Sequence, residues 1–236
     1  MKTTELAIVM PIYNEAANIE TVVAEWLNEL NRLGVSFQLL AINDGSKDRT
    51  SEVLQNLAKL HPDVIIPIDK KNAGHGQACR TGYALAIARE SEWTFQIDSD
   101  GQCDPQYFAS FWNARQGVDC VFGVRTTRDD GFSRVLISAA CRFLTSLVSG
   151  MDLKDLNVPY RLMRTPVLKE ALLKIPEDFD MQNAALTLTL KRKSTLRWKY
   201  IPIHFRDRQG GTNSINIRRI IGMGWNLLIN LHRIQR

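Results

Sequence analysis

Leu6-Ala7-Ile8-Val9-Met10 is an unbroken apolar run that stops at Pro11 and passes into the polar cluster Tyr13-Asn14-Glu15. Ile19, Val22, Val23, Trp26, Leu27 and Leu30 then recur at helical spacing. Strand, loop and helix are the simplest elements that meet this pattern. The same order returns twice, and a fourth strand follows. Gln38 to Ile42 reads as a strand, Asn43-Asp44-Gly45-Ser46 as a turn and Thr50 to Leu60 as a helix. Val64 to Ile68 is a strand, Asn72 to Gly76 a glycine-containing loop and Gln77 to Arg89 a helix. Trp93 to Ile97 is a fourth strand, ending on Asp98-Ser99-Asp100.

Strands that alternate with helices predict an α/β fold, a mostly parallel sheet with helices on both faces. In such sheets ligands bind outside the carboxyl ends of the strands. The polar clusters at 11–15, 43–48, 72–76 and 98–102 each follow a predicted strand, so they are expected to converge on one edge. The second half is less regular. It reads as a strand at Asp119 to Val124, an Arg-bearing loop at 125–134 and a helix from about Ser133 to Ser149. Strands at Arg161 to Arg164 and Trp198 to Ile203 follow, with a helix across Asn183 to Lys193 between them.

The chain has 236 residues, 44% of them apolar and 23% charged, which is the composition of an ordinary globular domain large enough to bury a full core. No apolar run approaches the ~18 residues of a membrane-spanning helix, and Leu6 to Met10 is too short for the apolar region of a secretory signal. The expectation is a cytoplasmic protein. Cys79, Cys103, Cys120 and Cys141 form no CxxC pair, and with four histidines no zinc-type cluster can be drawn; they read as reduced core thiols. From residue 191 to the end stand eleven Lys or Arg against the single carboxylate Asp207, within a chain of net charge +5. A basic segment of this kind fits an anionic partner such as phospholipid, lipid phosphate or nucleic acid, and a solvated surface accounts for it equally. Ile220, Ile221, Leu228 and Leu231 recur at helical spacing with Arg218, Arg219, Arg233 and Arg236 beside them, so 216–236 reads as a basic amphipathic helix.

Asp98 and Asp100 place two carboxylates two residues apart at a strand end, where both can approach one hard cation while phosphate oxygens complete its shell. Gln102 offers a neutral oxygen, and Asp104 lies close by. Asp44 sits where a carboxylate can accept from a ribose hydroxyl or a base N–H. Asp48 or Thr50 would cap the helix that follows. Asn72-Ala73-Gly74-His75-Gly76 suits close approach of backbone to a ligand, but it lacks the Lys-Ser/Thr ending of a P-loop.

Taken in order, Pro11-Ile12-Tyr13-Asn14-Glu15, Asn43-Asp44-Gly45-Ser46, Asn72-x-Gly74-x-Gly76 and Asp98-x-Asp100-x-Gln102 resemble the donor-binding half of family 2 glycosyltransferases with the GT-A fold. Within that family the sequence is most similar to polyprenyl-phosphate glycosyltransferases of the dolichyl-phosphate mannose synthase type. Gly123-x-Arg125, Arg134, the segment Asp155 to Arg161, and Arg208-x-x-Gly211 followed by Ser214 carry that second likeness. The resemblance implies a single GT-A-like catalytic domain over 1–215, with a nucleotide-sugar half at 1–124 and an acceptor half at 125–215.

It also implies roles. Pro11, Tyr13, Glu15, Asn43, Asp44, Gly74, Gly76 and Asp98 match positions around a UDP- or GDP-sugar. Asp98, Asp100 and Gln102 match those around the Mg²⁺ or Mn²⁺ that bridges its diphosphate. Arg125, Arg134 and Arg208 match basic positions that hold phosphates, a task that suits guanidinium forks. The implied reaction is sugar transfer with inversion to a polyprenyl phosphate, whose ionised oxygen needs no general base near pH 7. A hydroxyl acceptor would need one, and Asp178 and Asp180 are the candidates, although an acidic cluster at a helix N-terminus accounts for them as well.

Three departures from the family pattern bear on these roles. Many relatives have Asp-Asp where this chain has Asn43-Asp44, which leaves UDP against GDP open. The pattern after Arg208 carries an extra residue and lacks a Lys that often follows. Gln182-Asn183-Ala184 stands where relatives often carry a carboxylate. The basic terminal helix fits peripheral contact with an anionic membrane, and core packing explains its apolar stripe as well. A soluble glycan or protein hydroxyl is the competing acceptor. A non-catalytic nucleotide-sugar sensor, or a polyanion binder using the basic tail, is the reading from another class. No nucleic-acid recognition motif is present, and the paired Asp98 and Asp100 would be superfluous to a pure polyanion binder.

Overall fold

The computed structural model describes residues 4–125, 157–179 and 181–206. Seven strands form one sheet: β1 (Leu6–Ile12), β2 (Phe37–Asn43), β3 (Ile65–Asp69), β4 (Trp93–Ile97), β5 (Cys120–Arg125), β6 (Tyr160–Arg164) and β7 (Trp198–Ile203), in the spatial order β3-β2-β1-β4-β6-β5-β7. β1 pairs in parallel with β2 and β4, and β2 with β3. β6 runs antiparallel between β4 and β5, while β7 pairs in parallel with β5. Six strands therefore point one way and their carboxyl ends share an edge, as the strand–loop–helix pattern predicts.

Successive strand residues point to opposite faces, which divides β1 between two cores. Leu6, Ile8, Met10 and Ile12 pack under α1 (Ile19–Arg32), α2 (Thr50–Leu60) and α4 (Phe108–Ala114). Ala7 and Val9 pack under α3 (His75–Ala88), α5 (Thr165–Leu172) and α6 (Gln182–Arg192). The first core is aromatic at its centre: the Phe95 ring lies 5.6 Å from Trp26, 5.1 Å from Phe108 and 4.9 Å from Tyr160, in tilted or edge-on geometries that favour such rings. On the other face α3 comes unusually close to β1. A Cβ built on Gly82 would lie 2.3 Å from Val9 Cγ1, so only a glycine lets the helix settle there.

Two helices go beyond the sequence expectations. α4 follows a short 3₁₀ turn at Pro105–Tyr107 whose first amide, that of Gln106, donates to the Asp104 carboxylate. It is only seven residues long, too short for a helical period to stand out. α5 opens with Thr165-Pro166, a proline tolerated in the first turn because its missing N–H has no helical partner anyway, and buries Leu168, Ala171 and Leu172. That signal was present in the sequence. α6 is buried throughout 182–190, and its two central threonines are satisfied locally: Thr187 and Thr189 hydroxyls donate to the carbonyls of Asn183 and Ala185 four residues back. Cys79, Cys103 and Cys120 are buried free thiols, as expected. Arg134, Cys141, Asp180 and Arg208, the loop expected at 125–134 beyond Arg125, the helix expected from about Ser133 to Ser149, and the amphipathic helix at 216–236 lie outside the described residues.

Candidate functional site

The loops after β1 and β2 are sewn together across the sheet edge. Asn14 takes a positive φ of 55°, a conformation Asn tolerates better than most residues. Its amide donates to Ser46 Oγ at 2.9 Å, and its Oδ1 accepts from the Lys47 amide at 2.8 Å. The Glu15 amide donates to Thr50 Oγ1 at 2.9 Å and the Ala16 amide to Asp48 Oδ2 at 3.1 Å. Asp48 is thus not the conventional N-cap expected for α2; it accepts from the Thr50 amide and hydroxyl while reaching across to the neighbouring loop. Burial works against its charged form, but these hydrogen bonds outweigh it and hold its pKa below the usual carboxylate range. The result is a braced rim. Pro11 and Glu15 are buried in it, and Tyr13 projects with 44% of its surface exposed.

Next along the edge, Asp44 is nearly sealed from solvent and receives three donors: Lys70 Nζ at 2.5 Å and the Ala73 amide at 3.0 Å on Oδ1, and the Gly74 amide at 2.8 Å on Oδ2. Asn72 Nδ2 adds a bond to the Asp44 carbonyl at 2.8 Å. The carboxylate expected to meet a ligand therefore first organises the 70–74 loop against the edge. Gly45 (φ +69°) makes this possible, since a Cβ there would sit 2.7 Å from the Asn72 amide nitrogen. Gly74 (φ +92°) turns the chain into α3, and Gly76 lies in the first turn of that helix. Asn43 faces away from Asp44's partners: its Nδ2 donates to Asp69 Oδ1 at 2.6 Å, and Asp69 Oδ2 accepts from Ser51 at 2.8 Å. The carboxylate absent at position 43 is thus matched by one at 69. Asp69 and Lys70 were missed by sequence reasoning, which began the third loop at Asn72, yet they obey the rule that found the others, polar residues directly after an apolar strand.

At the end of β4, the Asp98 side chain is 29% exposed, yet one of its carboxylate oxygens, Oδ1, is buried without a hydrogen-bond partner. His75 Nε2 lies 3.7 Å from that oxygen and 3.5 Å from Cys79 Sγ. The Cys79 sulfur, and after it the Asp98 carboxylate, favour the protonated ring and raise the His75 pKa above its ordinary value. Asp100 Oδ1 accepts from the Gln102 amide at 3.2 Å, and Gln102 Nε2 donates to the Arg206 carbonyl at 3.3 Å. Among the described residues no three His, Cys, Asp or Glu side chains converge to hold an ion unaided. Two carboxylates, one with an orphaned buried oxygen, fit a Mg²⁺ or Mn²⁺ whose remaining positions are filled by phosphate oxygens and water.

Arg125 ends β5 on the same edge, its guanidinium 5.6 Å from the Phe205 ring. Arg206, which sequence reasoning passed over, forks onto Asp104 with two bonds of 2.7 Å and reaches Glu25 at 2.6 Å. Asp104 is therefore engaged by an arginine rather than turned toward an ion. The backbone two residues before Arg208 is pinned to Gln102, the Arg206 amide donating to the Gln102 carbonyl at 3.1 Å. On the far side of α3, Gln77 donates to the Glu177 carbonyl and Arg80 to the Ile175 carbonyl. Those bonds hold the segment that carries Asp178 and leads to Asp180.

The family model described as glycosyl transferase family 2 matches residues 7–171. A protein of Pectobacterium atrosepticum named undecaprenyl-phosphate 4-deoxy-4-formamido-L-arabinose transferase is 25% identical over 226 residues, covering 94% of this chain and 66% of the relative. A protein of the same name from Salmonella paratyphi B is 23% identical, covering 95% and 66%. The chain thus spans just under two thirds of the length of these relatives. Among solved structures, glucosyl-3-phosphoglycerate synthase of Mycobacterium tuberculosis, in complex with Mn²⁺, uridine diphosphate and phosphoglyceric acid, superposes with a TM-score of 0.66 at 17% identity, over 98% of this chain and 78% of that one. A mannosyltransferase of Pyrobaculum calidifontis in complex with GDP-mannose and Mn²⁺ gives 0.60 at 18% identity, over 90% and 59%. At such identities the likeness shows the fold, which is GT-A-like.

Proposed function

The chain belongs to glycosyl transferase family 2, and from that premise we propose that it moves a sugar with inversion from a UDP- or GDP-sugar to a polyprenyl phosphate. The observation that carries the reading is the pair Asp98 and Asp100 at the carboxyl end of β4, with Asp98 Oδ1 buried and unpartnered and the pair in line with three other polar strand ends. Tyr13 offers an exposed ring face to a base. Glu15 and the Asp44–Lys70 pair shape the wall beside it, Gly45 lets the 70–74 loop pack against that wall, and Gly74 turns the chain into α3 at its rim. A divalent ion held by Asp98 and Asp100, with Gln102 beside them, would neutralise charge on the departing nucleoside diphosphate. Arg125 supplies a guanidinium fork for phosphate oxygens on the same edge. Arg134 and Arg208 are proposed for the same work, and Asp180 as the base should the acceptor be a hydroxyl.

The acceptor is argued from chemistry and from the relatives' names. A phosphate monoester oxygen is already ionised near neutral pH, so attack on the anomeric carbon needs orientation and no proton removal. Among the described residues no helix is long and apolar enough to cross a membrane. The basic terminal segment would bring the enzyme to the cytoplasmic surface of an anionic membrane as a peripheral protein. Nucleotide release from a panel of UDP- and GDP-sugars tests the proposal, with Mn²⁺ or Mg²⁺ and with or without a short-chain polyprenyl phosphate. The expected result is release that needs one donor, the metal and the lipid phosphate, and that falls at least about 100-fold in Asp100→Ala. Metal-dependent nucleotide binding to which the lipid phosphate adds nothing would overturn the acceptor, and a soluble glycan in the same panel would then take its place. No metal-dependent nucleotide binding at all would overturn the whole reading.

A further inference from the structure

A carboxylate oxygen buried without a hydrogen-bond donor is a costly arrangement, because it has lost water and gained nothing in exchange. Asp98 Oδ1 is such an oxygen. An imidazole stands close by: His75 Nε2 is 3.7 Å away, just outside bonding distance, and is also 3.5 Å from Cys79 Sγ. Two features of the chain put it there. Gly74, at φ +92°, reverses the backbone so that His75 opens α3, and Gly82 lets that helix lie close enough to β1 for its first turn to overhang the end of β4. The side chain is 51% exposed, with Nε2 turned toward Asp98 and Cys79.

Resting on the donor-site reading above, we infer that His75 is a positioning residue: its Nε2–H closes onto Asp98 Oδ1 when donor and metal bind, and so fixes the outer Asp98 oxygen toward the ion and the diphosphate. The movement needed is under an ångström, within the reach of a small ring rotation in a half-exposed side chain. The role requires a donor at Nε2 and nothing of the ring's charge. Donors of this kind behind a metal carboxylate commonly change ion affinity by about 10- to 100-fold.

The test measures Mn²⁺-dependent binding of UDP and GDP by calorimetry in the wild type, His75→Ala and His75→Gln, the last placing an amide N–H where Nε2 stood. The expected result is binding weakened about 10-fold or more in His75→Ala and largely restored in His75→Gln. Unchanged binding in His75→Ala overturns the inference alone, as does equal weakening in both variants, which would make the ring a packing element. An imidazole ¹H–¹⁵N spectrum of the wild type, with the His75 signal assigned by its loss in His75→Gln, provides a readout free of nucleotide. It should show a hydrogen on Nε2 and a shift of that signal in Asp98→Asn. A bare Nε2, or a signal indifferent to Asp98→Asn, overturns the inference even if His75→Ala fails to fold. A wild type that binds neither nucleotide with metal overturns the donor-site reading and takes this inference with it.

Discussion

Replacing Arg206 by alanine removes a side chain that joins α1, the 3₁₀ turn after β4 and the segment beyond β7. It deletes two bonds of 2.7 Å to Asp104, whose side chain is only 6% exposed, and one of 2.6 Å to Glu25, which is 35% exposed. A hydrogen bond to a charged partner contributes about 1.5–3 kcal/mol, and stripping one partner from a buried pair costs about 3–5 kcal/mol. Two facts lower that figure here. Asp104 keeps the Gln106 amide at 2.9 Å and its Nε2 at 2.6 Å, and Arg206 is itself about one third exposed, so solvent screens part of the attraction. The expected loss is therefore about 2–3 kcal/mol. The Arg206–Asp104 coupling in a double-mutant cycle with Asp104→Asn should be near 2 kcal/mol, against under about 1 kcal/mol for the Glu25→Gln cycle. Urea denaturation of the four proteins of each cycle provides the measurement. A coupling to Asp104 below about 0.5 kcal/mol, or a larger coupling to Glu25 than to Asp104, would refute the assignment of this contact as the anchor of the Gln102–Arg206 bridge.

Further substitutions probe the scaffold of the site. Gly82→Ala should destabilise by about 1–3 kcal/mol despite the better helix propensity of alanine, and combining it with Val9→Ala should cost less than the two single changes summed, as read from denaturation midpoints. Asn43→Asp sets a second carboxylate against Asp69 in place of a 2.6 Å hydrogen bond. It should lower stability by about 1–3 kcal/mol at neutral pH, with one carboxyl of the pair driven to a raised pKa, so that the deficit shrinks as the pH falls through the carboxyl range; a deficit independent of pH would contradict this. Asp48 has the opposite sign. Its folded pKa is lowered, so its contribution is present above the ordinary carboxylate range and is lost as the pH falls through the lowered value. Asp48→Asn should accordingly flatten the acid limb of a stability profile and leave its alkaline side unchanged.

Much of the site was legible because its parts repeat one local rule. Tyr13, Glu15, Asn43, Asp44, Gly74, Asp98 and Asp100 all stand just past an apolar strand or in the turn that follows it, and parallel pairing carries them to one edge. Lys70 and Asp69 follow the same rule, at the end of the apolar strand β3 and ahead of the glycines of the same loop. Asp44 shows where the rule stops. Position says that a carboxylate stands at the edge, but not that Lys70 and two loop amides occupy it. Likewise Asp104 lies close in sequence to Asp98 and Asp100, yet Arg206, 102 residues further on, turns it into a structural anchor.

By itself the sequence determined the alternation of elements, the two-faced burial of β1 and the edge on which the polar clusters gather. These follow from residue periodicity and from turns that act over a few positions. Only the tertiary structure decided that β6 runs backwards between β4 and β5, that Asn43 is answered by Asp69, that Asp44 is closed by its own loop, and that His75 overhangs an unpartnered Asp98 oxygen. Those outcomes rest on packing between elements far apart in the chain. There the identity of a partner is set by which helix lies over which strand, and no spacing within the sequence encodes it.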